Sequence, residues 1–389
     1  MKYRKNMLSG ALALLVCLGL FTGCTKEETP PEAAASTPPA EQVQETTPAV
    51  ESTQPAEQEE TTAPAGPREI TDMAGRTVTL PAEMKTVYSS GPVAAIYLYT
   101  LVPDMLLGWN YEHNDIEKSV ILEKYHDLPN FGMGDAVNYE AVIAAAPSVA
   151  VSVGTINDKM TSDCDKLSES LGIPVIAVDG DLENAPAAYR FMGEVFGVEE
   201  QAEKLAAYAE KTFSDLENMD IPDDQKVRVY YGNGEDTLNT APAGSRHGQI
   251  IDMVKAINVA DLELGDGSRV QISPEQLLAW DPDVIIVNGE PKSNLSGNSA
   301  SEKLMNDPTY ADLKAVQELK VYGTPNAPFS WVDRPPGPNR IVGIRWMSGL
   351  LYPDYLNFDV DEEVREFYSL FYHVDLTDEQ LEKLYKGEI

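Results

Sequence analysis

The side chains best suited to chemistry in this chain are arginines and aromatic residues near the ends of predicted elements. Arg246 and His247 start a predicted helix, and Trp331 and Arg334 share one loop. Arginines offer fixed donors to an anion, and aromatic rings offer flat apolar walls with a polar edge. This combination suits a large chelate better than a naked metal ion. His247 is either an axial ligand of a metal group or simply a polar residue at a helix start.

Composition excludes several classes of protein. The 389 residues include 63 acidic and 29 basic side chains, for a formal net charge of −34. A polyanion would be repelled, so we predict no nucleic-acid partner and no polybasic membrane contact. The four histidines are dispersed and Gly-x-Ser-x-Gly is absent, so neither a direct metal site nor a hydrolase motif is indicated. We therefore predict a protein that is not an enzyme and carries no cofactor.

The N-terminal residues predict a secreted, anchored protein. A positive start and an uncharged apolar run identify residues 1–23 as a signal peptide, because the run is short for a membrane span. Leu20 to Cys24 resembles a bacterial lipoprotein cleavage box, which implies lipidation of Cys24 and a cell-membrane location on the extracytoplasmic side. A plain signal peptide or a short anchor helix is the alternative. Residues 24–67 hold eight prolines and nine glutamates, which predicts a disordered tether.

An internal repeat organises the remaining chain. The segments from Asn138 to Gly154 and from Ser273 to Gly289 each place a Glu seven residues before a Pro and a Gly seven residues after it. The pattern predicts a capped short helix, a proline stop and a buried parallel strand. Two copies indicate two similar α/β lobes.

A long stretch of helical periodicity lies between the copies and predicts one rigid connecting helix over roughly 185–219. Two consecutive helices inside one domain are the alternative. The predicted fold is therefore α/β, with two Rossmann-like lobes joined by one long helix and a ligand cleft between them. The boundaries are 68–184 for the first lobe, 185–220 for the linker and 221–389 for the second lobe.

These residues resemble the solute-binding proteins of iron-siderophore and cobalamin ABC importers. The resemblance covers roughly residues 68–389 and rests on the order and spacing of several segments rather than on one motif. They are the hairpin Asp72–Pro81, the Asn138-x-Glu140 and Ser273-x-Glu275 copies, the helical stretch Gly193–Phe213, the segment Gly244–Ala260 and the loop Trp331–Pro335.

The resemblance implies a monomeric binding protein that hands a metal chelate to the importer. A ferric siderophore comes first, with cobalamin, haem or an oxyanion as alternatives; outside the family, the alternatives are a structural surface lipoprotein or a hydrolase. It also implies that Glu140 and Glu275 dock on arginine pockets of the transmembrane subunits. Helix-start glutamates that complement the helix dipole are the structural alternative.

The ligand-binding cleft is expected at the carboxyl ends of the strands, between the lobes. For the aromatic residues the alternative is core packing, and for Arg334 it is a local pair with Asp333. The predicted ligand-binding residues are Ser90, Gly91, Trp109, Asn110, Tyr111, Met133, Thr155, Tyr231, Arg246, His247, Trp331 and Arg334.

Overall fold

Short apolar strands, each followed by a helix, build the first lobe. The computed structural model describes residues 66–263, 269–289 and 296–388. The predicted signal peptide, Cys24 and nearly all of the predicted tether lie outside these residues. The elements of the first lobe are β1 Arg68–Thr71, β2 Thr77–Leu80, β3 Val87–Ser89, α1 Pro92–Leu101, α2 Asp115–Lys118, α3 Tyr139–Ala144, β4 Val149–Gly154, α4 Asp158–Leu171 and β5 Val175–Asp179.

The sheet of the first lobe is parallel, in the order β3-β4-β5. Val87 aligns with Val149, and Val151 aligns with Ile176. The strands are buried for most of their length, which explains why they read as continuous apolar runs. The hairpin of β1 and β2 turns at Gly75, where φ is +77°.

Two helices, not one, connect the lobes: α5 Ala185–Phe196 and α6 Glu199–Glu217. The predicted single helix over 185–219 is wrong because Gly197 ends α5 in the left-handed conformation, with φ of +69°. The chain then folds back, and a Cβ on Gly193 would lie 2.3 Å from the Cβ of Ala202. Glycine at 193 is thus what lets the two helices approach so closely.

The second lobe repeats the α/β pattern around a mixed sheet. Its order is β11-β10-β6-β7-β9, with β8 paired to β6, and β10 is parallel to both of its neighbours. The elements are β6 Arg228–Asn233, β7 Asn239–Thr240, α7 Gln249–Met253, β8 Ile257–Asn258, β9 Val270–Gln271, α8 Pro274–Trp280, β10 Val284–Val287, α9 Gly297–Asn306, α10 Lys314–Gln317, β11 Val321–Gly323, α11 Asn339–Leu351, α12 Val360–Phe367 and α13 Asp378–Tyr385.

Both repeat copies fold as predicted. The Asn138 side chain accepts a hydrogen bond from the Ala141 amide at 3.0 Å and caps α3. Ser273 caps α8 in the same way, through the amide of Gln276 at 3.3 Å. In each copy a proline follows the helix and a buried strand follows the proline. The two sheets are separate, as two α/β lobes require.

One apolar core runs through both lobes and the helices between them. Tyr99 of α1 packs against Tyr372 of the C-terminal region, with ring centroids 5.9 Å apart. Tyr189 of α5 meets Phe371 at 5.7 Å. Because the lobes share buried aromatic rings, large hinge motion would expose them to water, and we expect only modest lobe closure.

Buried charges also tie α6 to the second lobe. The guanidinium of Arg345 is 1% exposed and pairs with Asp215 at 2.5 Å and with Glu363 at 3.3 Å. It also donates to the hydroxyl of Thr212 at 3.0 Å. Burial opposes the charge of Asp215, but the hydrogen bond from Arg345 and the positive charges of Arg345 and Lys211 together lower the pKa of that carboxyl. None of the described helices has both the length and the apolar character needed to cross a bilayer.

We expect Arg345→Met to lower the free energy of unfolding by about 3 kcal/mol, because two largely buried carboxylates would lose their guanidinium partner. Urea unfolding followed by tryptophan fluorescence measures this. The control is Lys204→Met on α6, whose pair with Glu200 is exposed and is expected to contribute little to stability. Equal losses in the two variants would contradict a structural role for the buried network.

Candidate functional site

The two lobes meet where their strands end. In the first lobe, β3 leads into the start of α1, and β4 and β5 end beside Thr155 and Gly180. In the second lobe, the segment before α7 and the loop after β11 face this region, since Arg246 reaches Gly180 from one lobe to the other. Carboxyl ends of parallel strands are the usual ligand-binding edge of α/β sheets.

Arg246 bridges the lobes directly. Its guanidinium donates to the carbonyl oxygen of Gly180 at 2.8 Å and to the hydroxyl of Thr155 at 3.4 Å. Asp181 lies 3.9 Å from the same guanidinium. The Arg246 side chain is 33% exposed, so part of this cation faces solvent at the junction.

Asp333 is the fixed anion of the second lobe. Its fully buried carboxylate accepts hydrogen bonds from His247 Nδ1 and from Arg269. Burial opposes its charge, but the bond from His247 and the positive charge of Arg269 outweigh burial and lower the pKa of this carboxyl. An ionised carboxylate only accepts, so the Nδ1 atom of His247 carries the proton. Asp333 therefore orients the side chains of both His247 and Arg269.

Arg340 is fully buried, and all of its described hydrogen-bond partners are uncharged. It donates to the carbonyl oxygens of Arg246 at 3.1 Å and Pro336 at 3.2 Å, and to the side-chain oxygen of Gln249 at 3.1 Å. Its Nε finds no described acceptor. Burial, then the charge of Arg246, lowers the pKa of Arg340 to about 10. This is a desolvated cation without a described carboxylate partner at ion-pair distance, and the charges of Asp333 and Asp181 offset its burial only in part.

Helix ends add positive potential around Arg340. It lies in the first turn of α11, where the helix dipole disfavours a cation and favours an anion. Gly337, three residues before Arg340, lies near α1 of the other lobe, since a Cβ there would lie 3.3 Å from Ile96 and 3.9 Å from Val93. No side chain caps the N-terminus of α1. The segment that leads into α11 thus approaches α1 across the lobe junction.

Aromatic rings from both lobes meet beside this charged region. Tyr111 and His113 of the first lobe lie 6.4 and 5.6 Å, ring to ring, from Phe329 of the second. Burial raises the pKa of Tyr111 well above its ordinary value. Neither ring nitrogen of the buried His113 makes a hydrogen bond with a described residue, although Glu117 lies 3.4 Å from Nδ1. The junction thus combines flat apolar surfaces with cations.

Three predicted ligand residues are core residues instead. Trp109 is 3% exposed, and its indole N–H donates to the carbonyl of Tyr125 at 2.8 Å. Asn110 is buried, and its amide donates to the carbonyl of Ser89 at 3.0 Å. Trp331 is fully buried and donates to the hydroxyl of Tyr368. The prediction that these side chains line the cleft is corrected, because each one packs and hydrogen-bonds inside its own lobe or at the shared core.

The remaining predicted residues are spread around the junction. Ser90 and Gly91 start α1 and are half-buried. Tyr231 is buried, with its hydroxyl 3.5 Å from Asp333. Met133 and Arg334 are exposed. The carboxylate of Asp333 is held by His247 and Arg269.

Glu140 and Glu275 both stand exposed in the first turn of a capped helix. A hydrogen bond from its own amide, followed by one from Ser273, lowers the pKa of Glu275. Both side chains are therefore available to a partner and also complement the helix dipole. The structure is compatible with either interpretation of these glutamates.

Sequence reasoning missed Arg269, Arg340, His113 and Phe329. Arg340 carried a readable signal: it precedes the apolar run Ile341-Val342-Gly343-Ile344, where a charged residue in a buried helix needs an explanation. Arg269 carried none, since its role depends on a carboxylate 64 residues away.

A surface cavity or a cluster of metal-ligating side chains would be an alternative binding site to the junction. Surface cavities of about 340 and 520 Å³ lie between α5 and α6 and beside β2 and α4, and Arg246, Arg269 and Arg340 line neither of them. In the described parts of the chain, no three His, Cys, Asp or Glu side chains converge as metal ligands.

Two α/β lobes joined by a rigid helical element, with cations and aromatic rings between them, define a solute-binding protein. A family profile described as periplasmic binding protein matches residues 94–328. The chain is 25% identical over 254 residues to the high-affinity heme uptake system protein IsdE of Staphylococcus aureus, covering 64% of this chain and 76% of that one.

Solved structures agree on the architecture. An ABC transporter solute binding protein from Sulfurospirillum deleyianum has a TM-score of 0.73 and 29% identity, over 82% of this chain and 99% of that one. The molybdate periplasmic binding protein MolA of Haemophilus influenzae has a TM-score of 0.64 at 23% identity, over 80% and 99%, and is alike in fold alone.

The chain belongs to the periplasmic binding protein family. It is an extracytoplasmic substrate-binding protein of an ABC importer and not an enzyme. The predicted family and the two-lobed α/β class are confirmed.

We expect Asp333→Asn to lower the free energy of unfolding at pH 7 by about 2 kcal/mol, because charge-assisted hydrogen bonds to His247 and Arg269 are lost. The pKa of Asp333 is depressed in the folded state. Its contribution is therefore complete above the unfolded value of about 3.9 and is lost as the pH falls through the folded value. Urea unfolding should show that the difference in the free energy of unfolding between wild type and variant is smaller at pH 3 than at pH 7.

Asp252→Asn is the matched control, since burial raises the pKa of Asp252 in the folded state. Wild type should gain stability relative to this variant as the pH falls, the opposite trend. A pH-independent difference for Asp333→Asn would contradict the proposed charge on that residue.

Proposed function

We propose that this protein is a lipid-anchored, extracytoplasmic receptor that delivers an anionic iron chelate, a ferric siderophore first, to an ABC importer. One observation carries the proposal: the buried guanidinium of Arg340 has no described carboxylate partner and lies beside Arg246. Burying a charge without compensation is costly, and an anionic ligand would supply the missing negative charge.

Three arginines support an anion rather than a neutral guest. Arg246, Arg269 and Arg340 each have a buried Nε without a described acceptor. Guanidinium groups present several fixed donors that match carboxylate, catecholate or oxyanion oxygens. Asp333 compensates only part of this positive charge. We therefore rank cobalamin below an anionic chelate among the alternatives.

The aromatic contact between the lobes supports a ligand with a flat apolar part. Tyr111 and Phe329 approach each other from opposite lobes, with ring centroids 6.4 Å apart. A ferric siderophore presents both aromatic or apolar surface and anionic oxygens. A small oxyanion would use the arginines alone and leave these rings without a role.

Haem is the second candidate, and one specific finding favours it. The relative from Staphylococcus aureus, 25% identical to this chain, is named for heme uptake. Haem combines a flat ring with two carboxylates, which fits cations beside aromatic rings.

Delivery requires a membrane partner and an anchor. We propose that Glu140 and Glu275, one on each lobe, pair with arginines of the importer's transmembrane subunits. Lipidated Cys24 and the acidic tether of residues 24–67 would keep the receptor close to that importer. The shared aromatic core supports a receptor that presents both glutamates at a fixed spacing.

Ligand identity is tested by native mass spectrometry of the protein purified from its own cells. Candidate chelates are then titrated against tryptophan fluorescence. Arg246→Met and Arg340→Met should each weaken binding of the identified chelate by roughly 10- to 100-fold, the usual worth of a hydrogen bond to a charged group. Arg190→Met is the control, because Arg190 of α5 forms ion pairs with Glu203 and Glu210 of α6 and is not one of the junction arginines. Full affinity in both site variants, or a neutral bound ligand, would refute the anionic-chelate proposal.

Glu140→Ala combined with Glu275→Ala should abolish uptake in cells and change ligand affinity less than about twofold, because no described hydrogen bond or ion pair joins either exposed carboxylate to the junction arginines. Uptake of the identified chelate and fluorescence titration measure the two effects separately. Equal loss of uptake and affinity would instead place these glutamates in the binding site.

A further inference from the structure

An exposed apolar face flanks Glu140 on the first lobe. Of the seven large apolar side chains that stand exposed among the described residues, three lie within residues 133–143. Met133 is 42% exposed, Tyr139 is 44% exposed and Ile143 is 51% exposed. Single exposed apolar residues are ordinary, but a group of them on one short segment marks an interaction surface.

Helix α3 presents this face on a fixed platform. Tyr139 and Ile143 are four residues apart, so they lie on one side of the helix, next to Glu140. Val142 is fully buried and holds the opposite side in the core. The cap by Asn138 fixes the helix start. Neither exposed side chain is needed to build the lobe.

The equivalent position on the second lobe is different. Glu275 is flanked by Pro274 and Gln276, and Leu278, the counterpart of Ile143, packs against the core of its own lobe. The two copies of the repeat therefore present similar carboxylates in dissimilar surroundings. One carboxylate is bordered by an exposed aromatic and an exposed aliphatic side chain, and the other by a proline and a glutamine.

Location separates this face from other exposed apolar residues. Helices that precede a parallel strand run antiparallel to it, so the start of α3 lies toward the strand ends that face the junction. Ile257 and Leu319 come at or just before the amino ends of β8 and β11. They lie at the opposite end of the second lobe and serve as controls.

We infer that Tyr139, Glu140 and Ile143 form the principal docking face for a transmembrane subunit of the importer, while Glu275 docks by charge alone. The inference rests on the proposed delivery function. The occupant follows from continuity with Glu140 and from the family, whose members work with importer membrane subunits. Docking of the first lobe is then both apolar and ionic, and docking of the second lobe is ionic.

Salt concentration distinguishes apolar docking from purely ionic docking. Exposed ion pairs are screened when the Debye length falls from ~10 Å at 0.1 M to ~3 Å at 1 M salt, whereas apolar contacts are not weakened. Contact through Ile143 should therefore survive high salt, and contact beside Glu275 should not.

Photo-crosslinking in membranes that contain this protein and its own importer tests the inference. p-Benzoylphenylalanine replaces Ile143 or Gln276 in the full-length chain, with Leu319 and Ile257 as control positions. Products are identified by peptide sequencing. We expect position 143 to capture a polytopic importer subunit with less than a twofold loss at 1 M NaCl, and position 276 to lose at least about fivefold. The control positions should capture none.

The combined variant Tyr139→Ser and Ile143→Ser should lower the crosslink from position 276 at 0.1 M NaCl by at least about tenfold, the effect of losing a hot spot. Leu319→Ser should leave it unchanged, and thermal melting should show that both variants fold. Capture of a second copy of this chain or of lipid at position 143, equal salt sensitivity at both positions, or no loss in the serine variant would each overturn the inference. Absence of importer crosslinks from both 143 and 276 would overturn the delivery function itself.

Discussion

The fold depends on how the positive charges of two buried arginines on one helix are paired. Arg345 and Arg340 both lie on α11 and are almost completely shielded from water. Arg345 is neutralised by Asp215 and Glu363, so its burial fastens the connecting helix α6 to the second lobe. Arg340 has only uncharged described partners and lies where the helix dipole opposes a cation. The charge of Arg345 is thus paired with carboxylates within the fold, whereas the charge of Arg340, at the lobe junction, has no described carboxylate partner.

The shared core determines which mechanism the fold permits. Rings from α1, α5 and the C-terminal region pack together, so the lobes cannot separate widely without exposing aromatic surface. Ligand entry must then rely on local rearrangement, such as release of Arg246 from its hydrogen bonds to the Gly180 carbonyl and the Thr155 hydroxyl. A rigid receptor also keeps its two outward-facing glutamates at constant spacing in bound and free states.

Local signals predicted much of the fold, and long-range contacts limited the prediction of the site. Caps at Asn138 and Ser273 and the prolines after their helices act within a few residues, so both repeat copies were readable. The break at Gly197 was missed because helical periodicity resumes directly after it. Trp331 was misplaced because a loop aromatic looks the same whether it faces a ligand or Tyr368. Arg269 and Asp333 meet only in the folded lobe, across 64 positions.

Charge is distributed with opposite signs inside and outside. The chain carries a formal charge of −34, yet cations gather at the lobe junction around one buried carboxylate. An acidic exterior would oppose the approach of the proposed anionic ligand, whose affinity would then come from the desolvated arginines at short range, where Coulomb forces are strongest. The same exterior would attract a basic face on a membrane partner and accelerate encounter with it. Under the proposed function, ligand and partner would therefore be recognised by separate surfaces of opposite electrostatic sign.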